Sequence, residues 1–198
     1  FDIANFAKNL NIFDVILIPS SACLDEKTAS SLGRFTEAGG KLIVMGAGAM
    51  DKNSETLLLD IGAKYIGEAN YDRDYLLVGP ELQADLIESP FLNFKPALRF
   101  KPDVGTEILA QLHEPYFSRT LEHYCSHQNT PYRLEASEHP AIIRKGNIIY
   151  IVPELDWMYL KHGARLHRDL FINVLKLVHK RPMIEAQLPS AGRLTFIH

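Results

Sequence analysis

The segment from Phe13 to Asp51 constrains the fold more than any other part of the chain. Asp14-Val15-Ile16-Leu17-Ile18-Pro19 is an almost unbroken apolar run. Leu24 to Ala38 follows with helical spacing, and Lys41-Leu42-Ile43-Val44-Met45-Gly46-Ala47-Gly48 is a second apolar run. Two such runs around an amphipathic helix predict a βαβ unit, with parallel strands covered on both faces. Ala29, Leu32 and Phe35 mark the inner side of the helix. Asp25 is placed to cap its start, and Gly39-Gly40 supplies the positive φ that ends it. In a sheet of this kind chemistry gathers at the carboxyl ends of the strands, here Pro19 to Cys23 and Gly46 to Asp51.

The remaining chain reads less regularly. Phe1 to Asn9 and Ser54 to Asp60 are expected as short helices, and Ala63 to Ile66, Tyr71 to Val78 and Thr106 to Leu112 as strands. Leu82 to Lys101, with Pro90 and Pro96, reads as an irregular excursion. Ala141 to Arg144 and Asn147 to Val152 flank Lys145-Gly146 as a hairpin. Leu166 to His179 is the clearest helix, with Leu166, Leu170, Val174, Leu177 and Val178 on one side. The expected organisation is one α/β domain over 1–182, then a linker and the start of a following β-domain over 183–198. The opening on Phe1 and the strand-like end from Leu194 to His198 predict a piece of a longer protein.

A formal net charge of −3 gives no reason to expect a nucleic-acid partner. No run is long and apolar enough to span a membrane as a helix. The two cysteines, Cys23 and Cys125, read as reduced thiols. The compartment is left open as cytoplasmic or periplasmic. Gly46-Ala47-Gly48 lacks the third glycine of a dinucleotide fingerprint, and Asp51 stands in its place, so a tight turn and no cofactor are expected. Ser20, Ser21 and Cys23 have no G-x-S-x-G elbow around them. His123, Cys125 and His127, with His113, have ligand chemistry but no metal-binding spacing, so no metal is expected. Glu114, Glu122, Glu154 and Asp156 would need a pair about 5–10 Å apart to hydrolyse a glycoside; exposed surface acids are the default reading. Tyr150, Trp157 and Tyr159 read equally as a sugar platform and as core or interface aromatics.

The passage from His113 to His127 is the densest in groups that bind or react. Tyr116, Arg119, His123 and His127, together with Glu154 and Trp157, are the candidates for ligand or interface contact; no residue is assigned as catalytic.

Phe13 to Pro19, Cys23 to Glu26 and Arg34 to Val44 resemble the glutamine-amidotransferase-like domain of bacterial glycoside hydrolases, called the trimerisation domain in the β-galactosidase group. Pro115 to Thr120, Ser126-His127, Pro140-Ala141, Gly146 to Tyr150 and Arg168 to Leu170 extend the resemblance, and Leu188 to Thr195 resembles the lead-in to the next β-domain. The resemblance implies a three-layer flavodoxin-like α/β sandwich with a mainly parallel sheet. It implies a non-catalytic oligomerisation domain of a β-galactosidase-like hydrolase. Partners would be other domains of the parent enzyme, further copies of the chain, and carbohydrate. An active amidotransferase has a nucleophile at its elbow and a His-x-Glu segment. The corresponding positions here are Gly46-Ala47-Gly48 and Val152-Pro153-Glu154, so only the glutamate remains. The rival readings are a stand-alone hydrolase using Cys125 or Ser20, and a carbohydrate-binding module using Trp157 and Tyr159.

Overall fold

The computed structural model describes residues 3–6, 9–53, 56–179, 184, 186, 188 and 192–195. The first part follows the βαβ pattern. Strand β1 (Val15–Ile18) leads to helix α1 (Glu26–Glu37) and strand β2 (Lys41–Met45), and β2 pairs parallel with β1. Asp25 Oδ1 accepts from the Thr28 amide at 2.7 Å, which satisfies one of the free amides at the start of α1. Ala29, Leu32 and Phe35 are buried, as their spacing requires.

The chain then departs from a doubly wound fold. Strands β3 (Ala63–Gly67), β4 (Asp74–Val78), β5 (Phe91–Asn93), β6 (Arg99–Pro102), β7 (Glu107–His113), β8 (Pro140–Lys145) and β9 (Ile148–Ile151) follow with turns and loops between them. Helices α2 (Leu155–His162) and α3 (Arg165–Val178) come after the last strand. Seven strands form one sheet in the order β1-β2-β9-β8-β7-β4-β5, while β3 and β6 form a separate antiparallel ribbon. Only the β1–β2 and β2–β9 pairs are parallel; the other four pairings in the large sheet are antiparallel.

The three-layer flavodoxin-like sandwich with a mainly parallel sheet is therefore overturned. Each parallel pair in such a sandwich needs a helical crossover. Among the described residues there are three α-helices, and α1 alone connects two strands directly. The mixed sheet also curls into a half-barrel. Lys95 follows β5 and Glu154 follows β9, strands separated by four steps, or about 19 Å on a flat sheet at ~4.8 Å per step. Yet Lys95 Nζ lies 2.5 Å from Glu154 Oε1.

The buried apolar residues form one continuous core. Leu42, Ile43, Val44, Ile142, Ile143 and Ile149 are fully or almost fully buried in the middle strands. The β3–β6 ribbon closes over the Tyr150 face, with the Phe100 and Tyr150 rings edge-to-face at 5.2 Å. Leu170, Val174 and Val178 bury the inner side of α3. Among the described residues no helix is long and apolar enough to cross a membrane.

Several local expectations change. Residues 3–6 are not helical, and the rest of the expected helix includes positions 1, 2, 7 and 8, outside the described residues. Leu57 forms an isolated bridge with Met50 where a helix was expected; positions 54 and 55 lie outside the described residues. The excursion from Leu82 to Lys101 contains β5 and most of β6. Much of the expected linker over 183–198 lies outside the described residues.

Candidate functional site

The registers place one edge of the sheet at the centre of interest. The carboxyl ends of β1, β2 and β9 lie there, β5 and β7 also end there, and β4 and β8 begin there. At this edge Gly46 has φ +49°. Its carbonyl accepts from the buried Tyr150 hydroxyl at 2.6 Å. A Cβ at Gly46 would fall 2.7 Å from Glu154 Cγ and 2.9 Å from Ser20 Cβ. Asp156 Oδ2 accepts from the Ser20 amide at 2.9 Å and so ties the end of β1 to the start of α2. The turns after β1, β2 and β9 thus close on each other through Ser20, Gly46, Glu154 and Asp156.

An aromatic and cationic patch adjoins them. The Lys161 and Lys95 ammonium groups lie 4.6 and 5.8 Å from the Trp157 ring centroid. The His162 ring meets Trp157 edge-on at 5.4 Å and stacks on Phe94 at 4.7 Å. Gly163 ends α2 in the left-handed region (φ +61°), and its amide donates to the Tyr159 carbonyl. Of the residues singled out in the sequence, Glu154 and Trp157 belong to this patch.

Tyr116, Arg119, His123 and His127 belong to a different cluster on the same edge, in the excursion between β7 and β8. Its neck is a short pairing in which Tyr116 N donates to Pro131 O at 3.1 Å and Arg133 N to Glu114 O at 2.8 Å. The segment before and at the start of β4 holds its lobe. Asp72 N donates to Ser118 Oγ at 3.2 Å, Arg73 to the Gln128 carbonyl and Asn129 Oδ1, and Tyr75 Oη to Thr130 O at 2.5 Å. Arg119 Nη1 donates to Gln128 O at 3.4 Å, and the His123 ring lies 6.1 Å from that of Phe117. All four candidate side chains are exposed. Cys125 Sγ donates to His127 O at 3.3 Å. Both cysteines are free thiols.

The structure adds a buried polar cluster that the sequence does not announce. Asp74 and Asn93 are fully buried, and Arg99 and His167 nearly so. Asp74 Oδ1 accepts from Asn93 Nδ2 at 2.7 Å, and its Oδ2 accepts from the Ala97 amide and Arg99 Nη1, both at 2.9 Å. Arg99 turns its other nitrogens to Glu114 in a two-point pair at 2.9 and 3.0 Å. Because Asn93 gives its N–H to a carboxylate, its oxygen is left to accept. His167 Nε2, 3.1 Å away, therefore carries the proton. Burial, with a smaller contribution from His162, lowers the His167 pKa to about 4. Burial pushes the Asp74 carboxyl up, against the pull of Arg99 and its other donors.

Among the described residues no three His, Cys, Asp or Glu side chains gather as a metal site. The described hydrogen bonds of His113, His139 and His167 rings go to Arg133 O, Phe100 O and Asn93, not to a Ser, Thr or Cys side chain.

No family model matches the sequence. No curated protein matches it either. Solved structures do. An alpha-L-fucosidase isoenzyme 2 from Paenibacillus thiaminolyticus superimposes with a TM-score of 0.81 and 21% identity, over 90% of this chain and 27% of the fucosidase. The GH42 beta-galactosidase Gan42B of G. stearothermophilus gives 0.57 and 12%, over 91% of this chain and 24% of that enzyme. A ThuA-like protein from Bacteroides uniformis gives 0.51 and 14%, over 89% of this chain and 75% of that protein. The chain spans about a quarter of the length of the first two. At these identities the likeness is one of fold: the fold of this chain recurs within larger glycoside hydrolases and in a ThuA-like protein.

Proposed function

We propose that this chain serves as a non-catalytic accessory domain of a larger glycoside hydrolase. The observation that carries this reading is the superposition on the fucosidase, which uses 90% of this chain but only 27% of that enzyme. The geometry of the edge supports it. Where an amidotransferase-like elbow would hold its nucleophile stands Gly46, at positive φ and against Glu154 and Ser20. An elbow without an activated nucleophile and base does not support amidotransferase-type attack. Its work in this reading is to pack on neighbouring domains and to mediate self-association. Tyr116, Arg119, His123 and His127 face outward for contact: arginine holds a carboxylate or hydroxyl, and histidine donates to a sugar oxygen or a partner carbonyl.

The test compares the 198-residue chain with the longest natural protein that contains it. Both are assayed on chromogenic α- and β-glycosides and sized by light scattering after size exclusion. An active, oligomeric larger protein beside an inactive chain is the expected result. Turnover by the chain alone overturns the reading.

A second reading, carbohydrate binding, is favoured by the Phe94, His162 and Trp157 rings beside two lysines. Trp157 is the only tryptophan in the sequence, so its fluorescence reports directly on that patch. A saturable emission change with oligosaccharides that disappears in Lys161→Ala would favour binding; a flat titration would remove it.

A further inference from the structure

We infer that the buried cluster centred on Asp74 couples the seating of α3 to the pose of the 114–133 excursion. The cluster is continuous. His167 on α3 bonds Asn93 on β5, Asn93 bonds Asp74 on β4, Asp74 bonds Arg99 on β6, and Arg99 holds Glu114 at the neck of the excursion. None of these groups belongs to the Glu154–Trp157 patch.

Asp74 reaches the excursion by two routes. One runs through Arg99 to Glu114, whose carbonyl also accepts from Arg133 N across the neck. The other follows the backbone. Successive residues of a strand point to opposite faces, so Asp74 anchors the start of β4 from one face while Arg73 and Tyr75 project from the other. Arg73 and Tyr75 are the residues that bond Gln128, Asn129 and Thr130 in the lobe. A shift of Asp74 therefore moves both attachments together.

The cluster also has little freedom to rearrange piecemeal. Arg99 is almost fully buried between two carboxylates. The amide of Asn93 gives one N–H to Asp74, and its oxygen accepts from His167. Losing the His167 bond leaves a buried acceptor without its donor, a penalty that local movement relieves only by displacing Asp74 or α3. The inference rests on these contacts alone and does not depend on the chain being part of a hydrolase.

The two cysteines supply the readout. Cys125 lies in the lobe, where its thiol bonds His127 O at 3.3 Å and lies 3.7 Å from Asn129 O. Cys23, exposed after β1, makes none of the cluster's bonds and serves as the internal control. The rate of reaction of each thiol with dithiobis(nitrobenzoate) is measured in the wild type, in His167→Phe and in His167→Gln, with Cys23→Ser versions to assign the phases. His167→Phe keeps a ring between Phe91 and Phe94 but removes the donor. It should raise the Cys125 rate about fivefold, the effect of one lost buried hydrogen bond, and leave Cys23 unchanged. His167→Gln, which restores an N–H in place of Nε2, should return the rate to within about twofold of wild type. An unchanged Cys125 rate in folded His167→Phe overturns the coupling, as does an equal rise at both cysteines. Should His167→Phe not fold, native-state hydrogen exchange on the wild type decides. Amides at 116–130 and those of α3 around His167 should open with one common free energy, and independent opening overturns the inference.

Discussion

Gly46 and Glu154 leave no room between them: a side chain on the first would begin 2.7 Å from Cγ of the second. The contact explains why the turn after β2 carries glycine. Its φ of +49° lies in the region that costs an L-residue about 1 kcal/mol or more, and the approach of Glu154 and Ser20 adds a steric penalty. Gly46→Ala should lower stability by about 1–3 kcal/mol in urea denaturation. Adding Glu154→Ala should recover part of the loss, a coupling that a double-mutant cycle measures. A neutral Gly46→Ala would contradict the packing described for this edge.

The Lys95–Glu154 pair marks how far the sheet curls, but it contributes little to holding it there. The lysine side chain is 45% exposed and the glutamate 20%. Coulomb attraction in such a site is screened and offset by the entropy of fixing a lysine. Lys95→Ala should cost less than about 1 kcal/mol, and the difference from wild type should shrink as salt rises from low to molar concentration. A larger, salt-independent loss would mean that Lys95 acts through packing on Trp157 instead.

Asp74 is different, because its partner Arg99 has almost no access to water. The Arg99 side chain is 5% exposed and that of Asp74 is fully buried. Asp74→Ala leaves the guanidinium with Glu114 as its one carboxylate, beside the Ala97 carbonyl, and strands the Asn93 and Ala97 donors. The expected loss is about 3–5 kcal/mol, which for a domain of this size removes much of its stability. Asp74→Asn keeps one carbonyl acceptor and should cost clearly less. Thermal and urea midpoints of the two variants, measured side by side, check the order.

How legible these features were depends on the range of the interactions behind them. The β1–α1–β2 unit could be read because each signal is local: unbroken apolar runs, the Asp25 cap and the Gly39-Gly40 stop. The same unit agrees with the parallel sandwich that the family resemblance implies. What turns the fold is β4 to β8, where short antiparallel strands replace helical crossovers. Strand β5, three residues between Pro90 and Pro96, carries almost no periodicity of its own. Glu154 and Trp157 stood out as candidates, but Lys95 did not. Its partner is 59 residues away, and only the curl of the sheet brings them together. Asp74 and Arg99 were invisible for a similar reason, and Glu114, weighed as a surface acid, gave no sign of its pairing with Arg99. A lone charge in a strand looks like a solvent-facing position until its partner, 25 residues on for Asp74 and 15 for Arg99, folds against it.

The cluster also predicts how stability depends on pH. The His167 pKa falls from 6.5 to about 4 on folding, because burial disfavours the imidazolium and His162 adds repulsion. The unfolded chain therefore takes up a proton near pH 6.5 that the folded chain resists until about pH 4. Above pH 6.5 this group imposes no penalty. As pH falls through the window the unfolded state gains, by about 1.4 kcal/mol per pH unit, for a total of about 3 kcal/mol. Unfolding free energies measured from pH 7.5 down to pH 4 should show this slope, on top of whatever the carboxylates add below pH 5. In His167→Phe, which has no group to protonate, stability should be flatter between pH 6.5 and pH 5 than in the wild type. Parallel curves for the two proteins in that window would mean that the ring gains its proton in the folded state as readily as in the unfolded one.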